Sequence, residues 1–264
     1  MKDAGTDSVK SANTSGAQSI QRAVAVLRAV AKHNERGERL SMIARNVGLH
    51  VATARRILHV LCAEGLITYD PVSKLYHLGL VLFQLGTAAH QFAIRDRFRT
   101  SLERIARETA DTVFLLIRAG NDVLCIDRAE GGYHIRTITI DVGARRPLGI
   151  GVGSLALIAF LPDQEFESIV SANEARYPHY RNLTAEKIRN LARSSQSSGY
   201  VVSEGLFHEG VTSVGIPIRD NEQVVASITV AAISRRMGPK RRGEIVHLVK
   251  TIVAEVFPCR LSKP

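Results

Sequence analysis

The stretch from Leu40 to Gly65 leaves few folds open. Ile43, Ala44 and Val47 form a short apolar face, and Ala44 is small enough to let a second helix cross close by. Gly48 follows at a turn, where a positive φ is cheap only for glycine. Leu49 plugs the corner. Ala54, Ile57, Leu58 and Leu61 then recur at i, i+3, i+4 and i+7, the buried stripe of a second helix. A small residue, a glycine turn, an apolar corner and an apolar second helix make a helix-turn-helix.

The other face of that second helix carries His50, Val51, Ala52, Thr53, Arg55, Arg56 and His59. A recognition helix sets its N-terminal residues against base edges, where arginine pairs with guanine and a methyl group meets the thymine methyl. Thr53 and Arg55 also suit phosphate, which positions without specifying. Ser19 and Arg22, at the start of the preceding helix, are further candidates for the DNA backbone. Ile67 and Tyr69, the Asp70-Pro71 turn, and Leu75, Tyr76 and Leu78 predict a hairpin with Lys74 near its tip, the size of a wing. A generic helical hairpin with a solvated basic face would share any one of these features, but not all of them in this order.

Charge points the same way. Residues 1–100 hold 14 Lys and Arg against 7 Asp and Glu, net +7, whereas residues 101–264 hold 21 against 18, net +3. A basic first domain suits a polyanion, and a nearly balanced second one does not. On charge alone, nucleic acid and a generic basic surface stay equally open. Cys62, Cys125 and Cys259 are scattered and form no CxxC, so reduced thiols in the cytoplasm are expected rather than disulfides or a metal site. No apolar run is long enough to span a bilayer, so no membrane partner is expected. Residues 1–17 are polar, lack the apolar core of a secretory signal, and read as a disordered tail.

Along the chain, Ser19 reads as the cap of a first helix whose face is Ile20, Val24, Leu27 and Val30. Asn34 to Arg39 reads as a loop. Residues 18–78 make the DNA-binding domain. Residues 79–99, apolar and then charged, read as a linker helix, and residues 100–264 as an effector and oligomerisation domain. In that domain 112–118, 123–127, 134–142, 200–204, 214–219 and 224–233 are strand-like. Helices are expected from Gly151, from Asp163, from Ala185, and over Lys240 to Phe257. Strands and helices without strict alternation give an α+β fold with an antiparallel sheet.

These segments resemble a known family. Gln18-Ser19-Ile20-Gln21-Arg22-Ala23, Leu40 to Gly65, and Asp70 to Gly79 are similar to the IclR-type transcriptional regulators. So are Val142 to Gly149, Ser203-Glu204-Gly205, Gly210 to Ile218, and Val224 to Val230. The similarity covers about residues 18–257. It implies a winged helix-turn-helix joined by a helix to a GAF-like effector domain, and a homodimer or homotetramer on palindromic double-stranded operator DNA. It also implies control of a catabolic operon by a small organic acid or aromatic effector, as repressor or activator, with no cofactor. Carried over by position, the effector pocket would include Leu148, Gly151, Val152, Ser203, Ser213, Ser227 and Thr229. Backbone amides at a glycine-rich helix start suit a carboxylate, and hydroxyls among apolar strand residues suit a small ligand. Where many members carry a His after the Pro-Leu, and a Gly-Lys pair at the next helix, this chain has Gly149 and Gly153-Ser154. Arg145-Arg146 reads as a solvated pair, and Cys125 as a core thiol.

Catalysis finds no support. Gly149-Ile150-Gly151-Val152-Gly153 lacks the third glycine of GxGxxG and any Walker lysine. Val152 and Val211 stand where a GxSxG around Ser154 or Ser213 needs its first glycine. The nine histidines show no metal-binding spacing. A purely architectural DNA binder is the remaining alternative, and the long, charge-balanced C-terminal half speaks against it.

Overall fold

Helix α1 runs Thr14–Ala31, a short strand β1 covers Glu38–Arg39, and helices α2 (Leu40–Asn46) and α3 (Val51–Ala63) form the helix-turn-helix. Strands β2 (Ile67–Asp70) and β3 (Leu75–Leu78) form the hairpin, and helix α4 is Val81–Ala88. The computed structural model describes residues 14–88, 93–181, 183–220 and 223–256, which divide into two compact units, Met1–His90 and Gln91–Pro264.

The first unit is organised around Val26, Ala29, Val30, Ile43, Leu58, Leu61 and Ile67, all buried. Burying each large aliphatic side chain is worth about 1.5–3 kcal/mol. Gly48, at φ +65°, ends α2: its N–H reaches the Arg45 carbonyl, and the Leu49 N–H reaches that of Ala44 at 2.9 Å. These are the paired bonds of a left-handed helix cap, so the turn is set by backbone alone. The same pair, Gly65 to Cys62 and Leu66 to Leu61, ends α3 and aims the chain into the hairpin. The hairpin gains a third strand, in the order β1-β3-β2, with Glu38 opposite Tyr76 and Arg39 opposite Leu75.

Several expectations for this unit change. Helix α1 starts at Thr14, so Ser19 lies inside it and caps nothing, and the tail expected over 1–17 is helical from 14; residues 1–13 lie outside the described residues. The buried face of α1 is Val26, Ala29 and Val30, while Ile20 and Val24 are exposed. Glu38 and Arg39, expected in a loop, pair with β3, a contact too short to leave a pattern. The linker expected over 79–99 comprises α4 and the start of α5 (Ala93–Thr109); residues 89–92 lie outside the described residues.

The second unit is a six-stranded antiparallel sheet in the order β6-β5-β4-β9-β8-β7. Its strands are β4 (Thr112–Ala119), β5 (Asp122–Ala129), β6 (Arg145–Pro147), β7 (Val201–Glu204), β8 (Val211–Asp220) and β9 (Gln223–Ile233). Period-two alternation splits each strand between two cores. Val113, Leu115, Ile228 and Val230 face Phe98, Leu102 and Ile105 of α5 and Ile245, Val249 and Ile252 of α9 (Pro239–Val256). Phe114, Leu116, Val123 and Cys125 face α6 (Val152–Ile158) and the layer of α7 (Asp163–Asn173) and α8 (Ala185–Gln196). The unit is therefore α+β, with helices on both faces.

Residues 134–142 form no strand; the ladder beside β5 is taken by β6, with Val123 opposite Arg146. Ile135, Ile138 and Val142 are exposed. Their β-propensity is real, but propensity makes a strand only where an edge and a half-buried face await it. Among the described residues, no helix is long and apolar enough to cross a membrane.

Candidate DNA interface and ligand pocket

The cap of α3 is His50, whose ring nitrogen accepts from the Ala52 N–H at 3.4 Å. Val51 and Ala52, in the first turn, are exposed. One open concavity between α1 and α3 gathers Ser19, Arg22, Thr53, Arg55, Arg56 and His59. Arg22, Arg55 and Arg56 are solvent-exposed, and among the described residues no carboxylate borders the concavity. The surface thus offers three guanidinium groups, with hydroxyls between them, to an anion that spans the two helices. His50, Val51 and Ala52 stand outside the concavity, at the exposed N-terminus of α3.

Lys74 lies apart from these residues, in the hairpin turn. The turn is built on Asp70, whose carboxylate accepts the Val72 N–H at 2.9 Å and the Ser73 hydroxyl. Those bonds hold the Asp70 carboxyl below the usual range. Lys74 sits at φ +60°, and its exposed ammonium is carried by the tightest part of the turn.

The second unit holds a pocket between α6 and the sheet. The close approach is made by Gly153, where an added Cβ would lie 2.1 Å from Thr229 Oγ1 and 2.4 Å from Leu116 Cδ1. The chamber is narrow, with a cavity volume of about 40 Å³, below the range of ready-made small-ligand sites. A ring-sized ligand therefore has to push the walls apart. Gly151, Val152, Ser203, Ser213 and Thr229 line this pocket. Leu148 and Ser227 do not. Leu148 is fully buried and its carbonyl accepts from the Tyr177 hydroxyl at 2.9 Å; the Ser227 hydroxyl donates to the Gly153 carbonyl at 2.7 Å, pinning α6 to β9.

Other lining residues went unseen in the sequence, among them Phe114, Leu116, Thr139, Arg146, Phe207 and His208. Phe114 and Leu116 follow from strand parity once β4 has a face. Arg146 corrects the expectation of a solvated pair: Arg145 is exposed, but its neighbour turns to the opposite face and lines the pocket, half-buried. Cys125 is a buried core thiol, pushed up to about 12 by burial. The Ser203 and Thr229 hydroxyls are buried without a hydrogen-bond partner, and both line the pocket. Such groups normally find partners, and a ligand would supply them. Helix α6 starts where expected, with Gly151 as its cap, but spans only Val152–Ile158.

Beside the apolar packing, a charged contact ties this pocket's sheet to helix α5. Val123 of β5 lines the pocket, and Asp127 of the same strand turns the other way because a bulge intervenes opposite Leu115 and Leu116. Arg99 Nη1 donates to Asp127 Oδ1 at 2.7 Å, and Arg95 Nε lies 3.6 Å from Oδ2.

Comparison with known proteins agrees with this geometry. Residues 19–71 match the model of the IclR helix-turn-helix domain, and residues 86–257 that of the C-terminal domain of bacterial IclR transcriptional regulators. The chain is 28% identical over 220 residues to the HTH-type transcriptional regulator KipR of Bacillus subtilis, covering 82% of this chain and 87% of that one. It is 28% identical to the glycerol operon regulatory protein of Streptomyces coelicolor over 246 residues, 92% and 93% of the two chains. It is 26% identical to the HTH-type transcriptional repressor AllR of Escherichia coli over 240 residues, 88% and 87%. Among solved structures, an IclR transcriptional regulator from Alicyclobacillus acidocaldarius superposes with a TM-score of 0.74 at 24% identity, over 90% of this chain and 97% of that one. An IclR homologue from Microbacterium hydrocarbonoxydans, solved with 4-hydroxybenzoate, gives 0.75 at 20% identity, over 91% and 99%. The structural likenesses establish the fold, and the named relatives are regulators rather than enzymes. With both family models matched in order on a winged helix-turn-helix and an α+β C-terminal domain, the chain belongs to the IclR family of transcriptional regulators.

Proposed function

We propose that this regulator binds a palindromic operator as a homo-oligomer and changes its grip when a small organic acid or aromatic molecule fills the C-terminal pocket, controlling a catabolic operon in the cytoplasm. The observation that carries the DNA half is the concavity where Arg22, Arg55 and Arg56 converge beside the exposed start of α3. In this reading His50, Val51, Ala52, Thr53 and Arg56 face base edges, while Ser19, Arg22, Arg55 and Lys74 hold phosphates. Leu80, Phe83 and Leu85, exposed beside and along α4, suit burial against a second copy. The 4-hydroxybenzoate complex of one structural relative and the glycerol-operon role in another relative's name support a catabolic effector.

Population shift is the mechanism. A ligand that favours one arrangement of the sheet moves β5, and Asp127 carries that movement to Arg95 and Arg99 of α5. The test is a gel shift of the full-length protein on the intergenic DNA beside its own gene, at physiological salt with competitor DNA. A competitor-resistant shift whose strength changes with an added organic acid or aromatic supports the reading. Equal retention of specific and random DNA overturns it.

A further inference from the structure

The pocket continues outward into a second basin whose rim, His179, Arg181 and Glu209, is exposed to solvent. Arg146 and His208 line both spaces, so they stand at the boundary between the buried chamber and open water. Among the described residues these two are the chamber's ionisable lining, and Arg146 forms no ion pair. Its guanidinium donates to the Thr139 carbonyl, a neutral acceptor. The acids of the neighbourhood are engaged elsewhere: Asp141 by Arg128 and Glu209 by Arg181. Asp141 acts on Arg146 only from a distance, and among the described residues no carboxylate is in contact with it, so this half-buried guanidinium is open to an anion. Burial, reinforced by Arg146 and Arg181, holds the His208 imidazole below its ordinary value, leaving it neutral and able to donate one hydrogen bond. At the inner end the demand is different. The Ser203 and Thr229 hydroxyls lack partners and no charge faces them, which suits a neutral oxygen.

We propose that the pocket selects an organic monoanion held lengthwise: its carboxylate on Arg146 and His208 at the mouth, its apolar body along Phe114, Leu116 and Val152, and a neutral hydroxyl or carbonyl on Ser203 and Thr229. This deepens the effector reading above and rests on it. Arg146 is then the residue that sets specificity for charge. A second carboxylate at the inner end is rejected, because no cation lines that end.

The test is a thermal melt of the full-length protein with acid and amide pairs: benzoate and benzamide, 4-hydroxybenzoate and 4-hydroxybenzamide, 4-oxopentanoate and its amide. An acid with a far oxygen raises the midpoint and its amide does not. Arg146→Gln raises that acid's Kd about 10–100-fold, the scale of one charge-assisted pair, and Arg146→Lys restores part of it. The unliganded midpoint of Arg146→Gln is read alongside, so that any loss from the missing bond to the Thr139 carbonyl is separated from lost binding. His208→Gln, which keeps a donor, retains most of the affinity. Amides that bind as well as acids, acid binding unchanged in Arg146→Gln, or no shift from any acid in the panel would each overturn the proposal. The gel shift on operator DNA is scored separately and needs no ligand, so a failed panel leaves the regulator reading to stand or fall alone.

Discussion

Replacing Arg99 by alanine is expected to cost more stability than replacing Asp127, although the two form one ion pair. The asymmetry follows from where each charge is left. The Asp127 side chain is 5% exposed and that of Arg99 is 44%. Arg99→Ala strands a buried carboxylate, which in a buried pair costs about 3–5 kcal/mol. Two contacts soften it here: the Arg128 N–H at 2.9 Å and Arg95 at 3.6 Å. The expected loss is about 2–4 kcal/mol. Asp127→Ala instead frees a guanidinium that reaches water and keeps its bond to Glu103 at 2.8 Å, so about 1–2 kcal/mol is expected, the scale of one charge-assisted hydrogen bond. The double variant removes the stranded charge and should fall near Asp127→Ala rather than at the sum. Urea unfolding of the three variants, read at equal m-values, makes the comparison. Asp127→Ala costing as much as Arg99→Ala, or additive losses in the double variant, would refute the reasoning. Because this pair also ties β5 to α5, Asp127→Ala is expected to blunt the effector's influence on operator retention while leaving effector binding intact.

The remaining predictions concern both units. Arg56→Ala should lower specific operator affinity by about 1–3 kcal/mol and relax one base position, whereas Lys74→Gln should weaken all sequences alike and reduce the salt slope by about one; competition gel shifts at several salt concentrations separate the two. Thr229→Val removes a buried hydroxyl that has no partner, so the unliganded protein should be as stable or up to about 1–2 kcal/mol more so, while effector affinity falls; calorimetry with and without ligand reads both. Burial raises Cys125 from 9.0 and Tyr177 from 10.0, each to about 12. The unfolded chain therefore releases these protons first, so stability is undiminished by them below pH 9 and is lost as pH rises from there toward 12. Alkylation at pH 8 should reach Cys62, which is only partly buried, well before Cys125.

How much of this was readable beforehand depended on whether a residue's role is local. Gly48 and the Ala54 to Leu61 stripe are local signals, because a left-handed cap and a helix period are settled within one turn of chain. The wing's turn is local too, since Asp70 binds its own neighbours. Signals fail where a partner decides. Residues 134–142 have a strand's composition and no edge to join. Glu38 and Arg39 lack a strand's composition and have an edge to join, in Tyr76 and Leu75. Ser227 and Thr229 share a strand face, yet Gly153 approaches so closely that Ser227 is spent on its carbonyl and only Thr229 reaches the pocket.

The same reasoning explains why a pair of adjacent arginines in the sequence concealed the most informative side chain of the pocket. Arg145 and Arg146 are chemically identical, and only pairing to β5 gives them opposite faces. Pairing with β5 also makes Arg146 a neighbour of Val123, a pocket residue. Through that strand the charge at the mouth, the apolar chamber and Asp127 are joined by the five residues Val123 to Asp127, roughly 13 Å at 3.3 Å per residue, with the bulge among them. A carboxylate drawn to Arg146 therefore acts on β5, the strand whose Asp127 is paired with α5. Neutral molecules that fill only the chamber leave β6 without that charge. By this logic they should bind more weakly, and they should also switch the operator less at equal occupancy.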